Sequence, residues 1–375
     1  MLWKLVRLKG RLITLSQHVL FIGAGQTNLS VLKNWKKRVP SHVEWTLASP
    51  SRYHYYSGMF SGFMEGKYSL DDIRIDVKAF CQQHGGRFIE EKITAVDKNR
   101  NIVLTENGKS IPYDHISADI GSRPAGGSVR GVREHALFLE PHEQFPSTAE
   151  KMQQTEYPVI VGGGFSAVEL ALSLQVWRQK HRKKTPVTLI SATPVLPNEK
   201  KEVREELRNL LDERGILLYE NTPVDSLDSQ IIYAGNEMIG YGEVLWAAGK
   251  EAPLLFDYAN LPVDEKGYLL VSSTLQSLGD ATIFGSGDCV TIDQYPMLSK
   301  DAVSSIRQAE VLEENVLRKL KSKPKLKHFR PQKKYATVLN LGSKQGLYLY
   351  GDKHSISKSA WKLKNRLDKS FMKQF

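Results

Sequence analysis

The chain has 375 residues, with 52 Lys+Arg against 41 Asp+Glu, a formal net charge of +11, and 41% hydrophobic and 25% charged residues. That length and composition suit two or three globular domains and exclude a mainly disordered or fibrous chain. Apolar runs such as Val19–Ala24 stay far below the roughly 18–20 residues a membrane span needs. The only cysteines, Cys81 and Cys289, lie far apart, which argues against a disulfide scaffold, a CxxC pair and a cysteine-rich zinc site. The ten histidines show no close ligand spacing, and no metal is expected.

Met1–Leu20 carries Lys4, Arg7, Lys9 and Arg11 ahead of an apolar stretch, a superficial likeness to a signal peptide. The stretch runs straight into Gly23-Ala24-Gly25 with no small-residue cleavage site before it, so it reads as a first core strand. His18–Ile22 is that strand; Gly23-Ala24-Gly25-Gln26-Thr27-Asn28 is a turn, and a helical pattern follows through Leu29, Leu32 and Trp35. Asp76–Cys81 is helix-like. The arrangement then recurs: Pro158–Val161, the turn Gly162-Gly163-Gly164-Phe165-Ser166-Ala167, and a helix from Val168 through Leu174.

In each copy the first glycine makes the strand-to-helix turn, and Gly25 or Gly164 lets backbone approach a pyrophosphate. The anion then rests on free N–H groups at the helix start, those of Gln26 and Thr27 or of Phe165 and Ser166. One such turn is weak evidence. Two copies, 139 residues apart and each in strand–turn–helix context, are far stronger. Each is followed by a second strand, Val43–Ser49 and Val187–Ser191, whose end normally offers an Asp or Glu to the adenosine ribose. Here Ser49 and Ser191 stand there, and Asn28 replaces the third glycine of the first turn. The choice between NADH and NADPH therefore stays open.

The basic excess is concentrated at the end. From Arg318 onward there are 17 Lys/Arg and two acids, a net of +15, against −4 for the rest. Arg318–Lys334 reads as an exposed connector. In Ile356–Phe375 the residues Ile356, Ala360, Leu363, Leu367 and Phe371 form one helical stripe opposite Lys358, Lys362, Arg366, Lys369 and Lys373. That pattern suits either a terminal helix packed on its own domain or a helix lying on an anionic membrane. No nucleic-acid-binding signature accompanies the charge.

With these residues in hand, the chain resembles the two-dinucleotide-domain flavoproteins of the pyridine-nucleotide disulfide oxidoreductase superfamily, and within it the type II NADH dehydrogenases and their close flavoprotein relatives. Four further stretches carry the resemblance: Tyr113–Pro124 (YDHISADIGSRP), Trp246–Pro253 (WAAGKEAP), Ile283–Cys289 (IFGSGDC) and Tyr53–Gly66 (YHYYSGMFSGFMEG). It implies an α/β fold of two Rossmann-like domains: a discontinuous FAD domain over 1–122 and 253–317, an inserted NAD(P)H domain over 123–252, and a basic C-terminal region over 318–375. It also implies cofactor contacts at Gly121, Gly249, Gly287, Lys300 and above all Asp288, whose carboxylate would accept from the ribityl hydroxyls of FAD. The competing account of Asp288 is a cap on the following helix. Glu169 resembles the family's carboxylate near nicotinamide and flavin, with simple helix-dipole placement of an exposed acid as its alternative. Gln308 matches the region by the flavin and quinone pocket; as plain sequence, Lys300 and Gln308 read as helix-surface residues.

The resemblance implies hydride transfer from NAD(P)H to FAD and release of electrons to an acceptor, with a membrane quinone as one candidate. The protein is expected in the cytoplasm, and the basic helix offers a peripheral position on the inner face of the cell membrane as one option, packing on the body being the other. A soluble acceptor, and a non-catalytic nucleotide-binding or redox-sensing role, remain as alternatives. Thiol chemistry of the glutathione-reductase or sulfide:quinone oxidoreductase kind is not expected, because Cys289 has no nearby partner.

Overall fold

The computed structural model describes Leu5–Leu8, Arg11–Thr14 and residues 16–375, with side chains from Ser16 onward. Leu5–Leu8 and Arg11–Thr14 pair as an antiparallel hairpin; Lys4 and Lys9, part of the basic N-terminal pattern, lie outside the described residues. The chain divides into two compact units. One contains the chain up to His54, Asp76–Ser122 and Glu251–Pro331, and the other Tyr55–Ile75, Arg123–Lys250 and Gln332–Phe375.

The first unit is built on a five-stranded parallel sheet in the order Ile283–Gly285, His115–Ala118, Gln17–Ile22, Val43–Ser49, Arg87–Glu90. Val19, Leu20 and Phe21 are fully buried, as a continuous apolar run in a parallel sheet covered on both faces must be. Phe21 meets Trp35 and Trp45 edge-on at 5.4 and 6.1 Å. The first-turn helix, Gln26–Arg38, packs Leu29, Leu32 and Trp35 inward, and the long helix Ala302–Leu320 lies against it. Arg38 joins them at the surface through Glu313 and Glu314, at 2.8 and 2.9 Å.

The second unit repeats the plan in the order Ala136–Phe138, Glu243–Trp246, Pro158–Val161, Thr188–Ile190, Leu217–Tyr219, again all parallel. Each unit also carries a three-stranded antiparallel sheet inserted along the chain, Ile93–Pro112 between Arg87–Glu90 and His115–Ala118 in the first and Val224–Gly240 between Leu217–Tyr219 and Glu243–Trp246 in the second. The difference lies at the outer strand. In the first unit it arrives late in the chain, as Ile283–Gly285, and in the second it comes first, as Ala136–Phe138.

Three features depart from the expected division. Tyr55–Ile75, expected in the first domain, belongs to the second unit. The reason is aromatic burial: Phe60 stacks on Phe145 at 3.8 Å, and Met64 is fully buried. The stretch 318–375 is not one region. The long helix extends to Leu320, residues 321–331 stay with the first unit, and the rest joins the second. There Ala336–Asn340, Gly346–Tyr350 and Lys353–Ser357 form an antiparallel sheet that the sequence reading lacked.

The terminal helix is Lys358–Met372, capped by the Ser357 hydroxyl on the Ala360 N–H, and Ile356 belongs to the preceding strand. Its buried face is not the expected stripe. Ala360, Asp368 and Phe371 are buried, whereas Leu363 and Leu367 are 36% and 52% exposed. The physical cause is a buried ion pair: Lys364 reaches Asp368 at 2.6 Å, and Tyr56 covers it by stacking on Phe371 at 4.6 Å and donating its hydroxyl to Asp368. No helix among the described residues is long and apolar enough to cross a membrane.

Candidate dinucleotide sites

In the first unit Gln17–Ile22 ends at Gly23, which sits at φ +86°; a Cβ there would lie 2.2 Å from the Asp119 carbonyl oxygen. Only glycine fits that combination of positive φ and close backbone. Gly25 then caps the first-turn helix. Asn28, in the third motif position, is fully buried. Its amide donates to the Gly23 carbonyl at 2.9 Å, and its oxygen accepts from the Ser117 hydroxyl at 2.7 Å. The side chain thus ties two strand ends together, a task that a glycine leaves to backbone packing. Ser49 is buried at the end of Val43–Ser49.

Against this turn lies Ser286-Gly287-Asp288-Cys289. Gly287 holds φ +69°, and its N–H donates to the side-chain oxygen of Gln308 at 2.8 Å. Gln308 is 3% exposed, so it is not the helix-surface residue that its position in the sequence suggested. It holds the backbone beside Asp288 in place. The long helix is capped by Asp301, which accepts from the Ser304 N–H at 2.8 Å, and this removes the capping account of Asp288. Lys300 donates to the Val290 carbonyl and stands 3.8 Å over the Tyr268 ring. It lines a small pocket together with Gly287, Thr291, Ser305 and Gln308.

The residue that the sequence reading passed over is Asp119. It follows His115–Ala118 inside the YDHISADIGSRP stretch, and its carboxylate accepts the N–H groups of Thr27 at 2.8 Å and Asn28 at 3.1 Å. Burial pushes its pKa up, the two N–H bonds pull it down and the charge of Asp288 pushes it up again, to about 7 in all. The available signal was an acid inside an otherwise apolar strand end, a costly placement unless the group has partners or a task.

In the second unit Gly162 sits at φ +144°, with the Ala247 carbonyl 2.6 Å from where a Cβ would be. Gly164 caps the second-turn helix, Phe165–Lys180. A Cβ on Gly164 would meet nothing within 4 Å, and Phe165 and Ser166 are exposed. Gly121 and Gly249, at φ +68° and +83°, make corresponding turns after His115–Ala118 and Glu243–Trp246. Ser191 is buried after Thr188–Ile190. On the neighbouring strand end Glu220 is engaged by Arg208 at 2.5 Å.

Glu169 does not sit as an exposed acid. Its overall exposure is intermediate, but the carboxyl group is enclosed and accepts the Asn340 N–H at 2.5 Å. Burial pushes its pKa up to about 7 against the opposing pull of Lys364 and the Asn340 N–H. Asn340 comes from the unanticipated sheet, and its side chain donates toward Ser61 and Ser173. Cys81 and Cys289 are both buried and unpaired, and burial pushes each thiol up to about 12. Neither is a ready thiolate nucleophile.

Both turns suit a dinucleotide. The first has glycine-enforced close approach, a facing Gly287–Asp288 loop, and two buried polar atoms without a hydrogen-bond partner, Gln26 Oε1 and Ser286 Oγ. The second has an open glycine at the helix N-cap. No group of three or more His, Cys, Asp or Glu able to hold a metal occurs among the described residues.

The chain belongs to the pyridine nucleotide-disulphide oxidoreductase family, whose model matches residues 17–309. It accordingly shares the fold of the two-dinucleotide-domain proteins. It is 26% identical over 330 residues to the mitochondrial external alternative NADH-ubiquinone oxidoreductase of Yarrowia lipolytica, covering 73% of this chain and 55% of that protein. The chain thus spans little more than half of that relative. It is 23% identical over 380 residues to the type II NADH:quinone oxidoreductase of Staphylococcus epidermidis, covering 93% of this chain and 94% of the relative. Among solved structures, NDH2 from Plasmodium falciparum in complex with NADH superposes with a TM-score of 0.83 at 14% identity, over 95% of this chain and 97% of that one.

Proposed function

We propose that this chain is an NAD(P)H dehydrogenase that passes electrons to a membrane quinone. The observation that carries the reading is the repeated strand–glycine turn–helix at the carboxyl end of each parallel sheet, where such folds bind nucleotides. The first unit would hold FAD through Gly23, Gly25, Gln26, Thr27, Ser49, Gly121, Gly287 and Asp288. The second would hold NAD(P)H through Gly162, Gly164, Phe165, Ser166 and Gly249. Bound FAD supplies the two-electron chemistry, and the protein positions and tunes it. Asp288 would accept from ribityl hydroxyls, with Gln308 fixing its loop as a positioning residue. Glu169, enclosed and near neutral in pKa, is suited to hold or release a proton. The buried thiols support an acceptor other than a sulfur substrate.

The quinone reading is also supported by the named activities of the relatives and by the terminal helix. Leu363 and Leu367 project outward beside Lys362 and Arg366, all exposed, which suits contact with an anionic bilayer on the cytoplasmic leaflet. The test is anaerobic addition of NADH, then NADPH, to the FAD-loaded protein, followed by a soluble quinone with and without anionic vesicles. Bleaching of the flavin band followed by quinone-dependent recovery is the expected result. A band that persists with both nucleotides refutes the dehydrogenase reading. Recovery with a soluble acceptor alone, untouched by vesicles, refutes the membrane assignment.

A further inference from the structure

The two units give an internal comparison. Asp119 N–H donates to the Ile22 carbonyl at 2.8 Å, and Ala247 N–H donates to the Val161 carbonyl at 2.8 Å. Gly23 and Gly162 each approach the carbonyl of that same residue. The positions correspond atom for atom, yet one is a carboxylate and the other a methyl. At the second turn the space beyond Gly164 is open. At the first, a Cβ on Gly25 would lie 2.2 Å from the Asp119 carboxyl, and one on Gly287 would lie 2.3 Å from it. The Asp119 carboxylate occupies the mouth of the first turn and takes its helix-start amides, Thr27 and Asn28.

Those amides, with the helix dipole behind them, are what a dinucleotide pyrophosphate uses at such a turn. Two anions cannot share them in a buried setting without a large repulsive cost. Resting on the flavin reading above, we propose that Asp119 is a built-in competitor for the pyrophosphate seat of the first glycine turn, so that FAD docks only as Asp119 releases these amides and takes up a proton.

The surroundings favour coupled proton uptake. Asp119 is 4% exposed, and its pKa already stands near 7. Asp288 from the facing loop repels its charge. Cys289 beside it stays a thiol, and the first-turn helix and long helix present the neutral Thr27, Asn28, Ser305 and Gln308. Lys300, the nearby cation, is held by the Val290 carbonyl and Tyr268. A second negative charge arriving at the same amides raises the protonated fraction further, and the coupling is reciprocal.

The test is FAD affinity by flavin-fluorescence titration from about pH 6 to 9, where one coupled proton makes affinity fall by up to about tenfold per unit above the Asp119 pKa. Wild type, Asp119→Asn and Asp119→Ala are compared, with circular dichroism and NAD(P)H binding at the unaltered second turn showing that the variants fold. The expected result is a falling profile in wild type and a flat one in both variants, which bind FAD more tightly at high pH. FAD binding by the variants alone supports the proposal in its strongest form. A flat wild-type profile, an equal slope in Asp119→Asn, or weaker binding by both folded variants at every pH overturns it while leaving the flavin reading intact. No FAD binding by any of the three overturns the flavin reading and the proposal with it.

Discussion

Gln308 offers a direct test of how the first site is held. Its side-chain oxygen accepts the Gly287 N–H at 2.8 Å, the residue is 3% exposed, and Gly287 is fixed at φ +69°. Gln308→Met keeps length and volume but removes the acceptor. The Gly287 N–H is then a buried donor without a partner, which costs about 1–3 kcal/mol. Gln308→Ala adds a cavity and brings the loss to roughly 2–4 kcal/mol. Through the loop that carries Asp288, a shift of about 1.4 kcal/mol in the placement of this backbone lowers FAD affinity tenfold. The measurements are urea unfolding monitored by circular dichroism and FAD titration at a pH near 6. The expected order of both stability and affinity is wild type, then Met, then Ala. If Gln308→Met unfolds with wild type and binds FAD equally well, the hydrogen bond to Gly287 does not hold the site and the positioning role is wrong.

Other expectations follow from single features. The Glu169 pKa is raised from 4.5 to about 7, so the folded state holds this proton more tightly than the unfolded chain. The associated stability is fully present below about pH 4.5 and is lost as pH rises through about 7, by at most about 3 kcal/mol; Glu169→Gln should flatten the unfolding profile across that window, and an unchanged slope refutes the enclosure of the carboxyl. Arg178, 1% exposed, donates to the carbonyls of Thr155, Glu156 and Thr185; Arg178→Met should destabilise by about 2–4 kcal/mol, and a neutral result in urea unfolding would show those carbonyls satisfied otherwise. At the terminal helix, Leu363→Asp with Leu367→Asp should abolish sedimentation with anionic vesicles and leave melting unchanged. Phe371→Ala, at the buried stack on Tyr56, should cost about 3–5 kcal/mol. Equal vesicle binding by the leucine variant would sink the membrane contact.

Much of this molecule could be read from local pattern. Apolar runs such as Val19–Ile22 and Val159–Val161, followed by glycines and a helical period, specify strand, turn and helix within some fifteen residues. The need for glycine at Gly23 and Gly162 comes from backbone geometry that any such turn imposes.

Tertiary structure decided what depends on contacts distant in sequence. Asp119 meets the amides of Thr27 and Asn28 across 92 and 91 residues, so its place at the start of the first-turn helix is invisible to spacing arguments. Glu169 looked like an exposed first-turn acid until Asn340, 171 residues on, closed over it. The stripe of the terminal helix misled because a hydrophobic count assigns Lys364 and Asp368 to water; neutralised by each other and covered by Tyr56, they can be buried where Leu363 and Leu367 are not. Sequence alone determined the repeated nucleotide-binding frame, because short-range sterics and periodicity define it. Only the folded chain decided which charges stand inside that frame, because burial and partner distance set the state of a carboxylate.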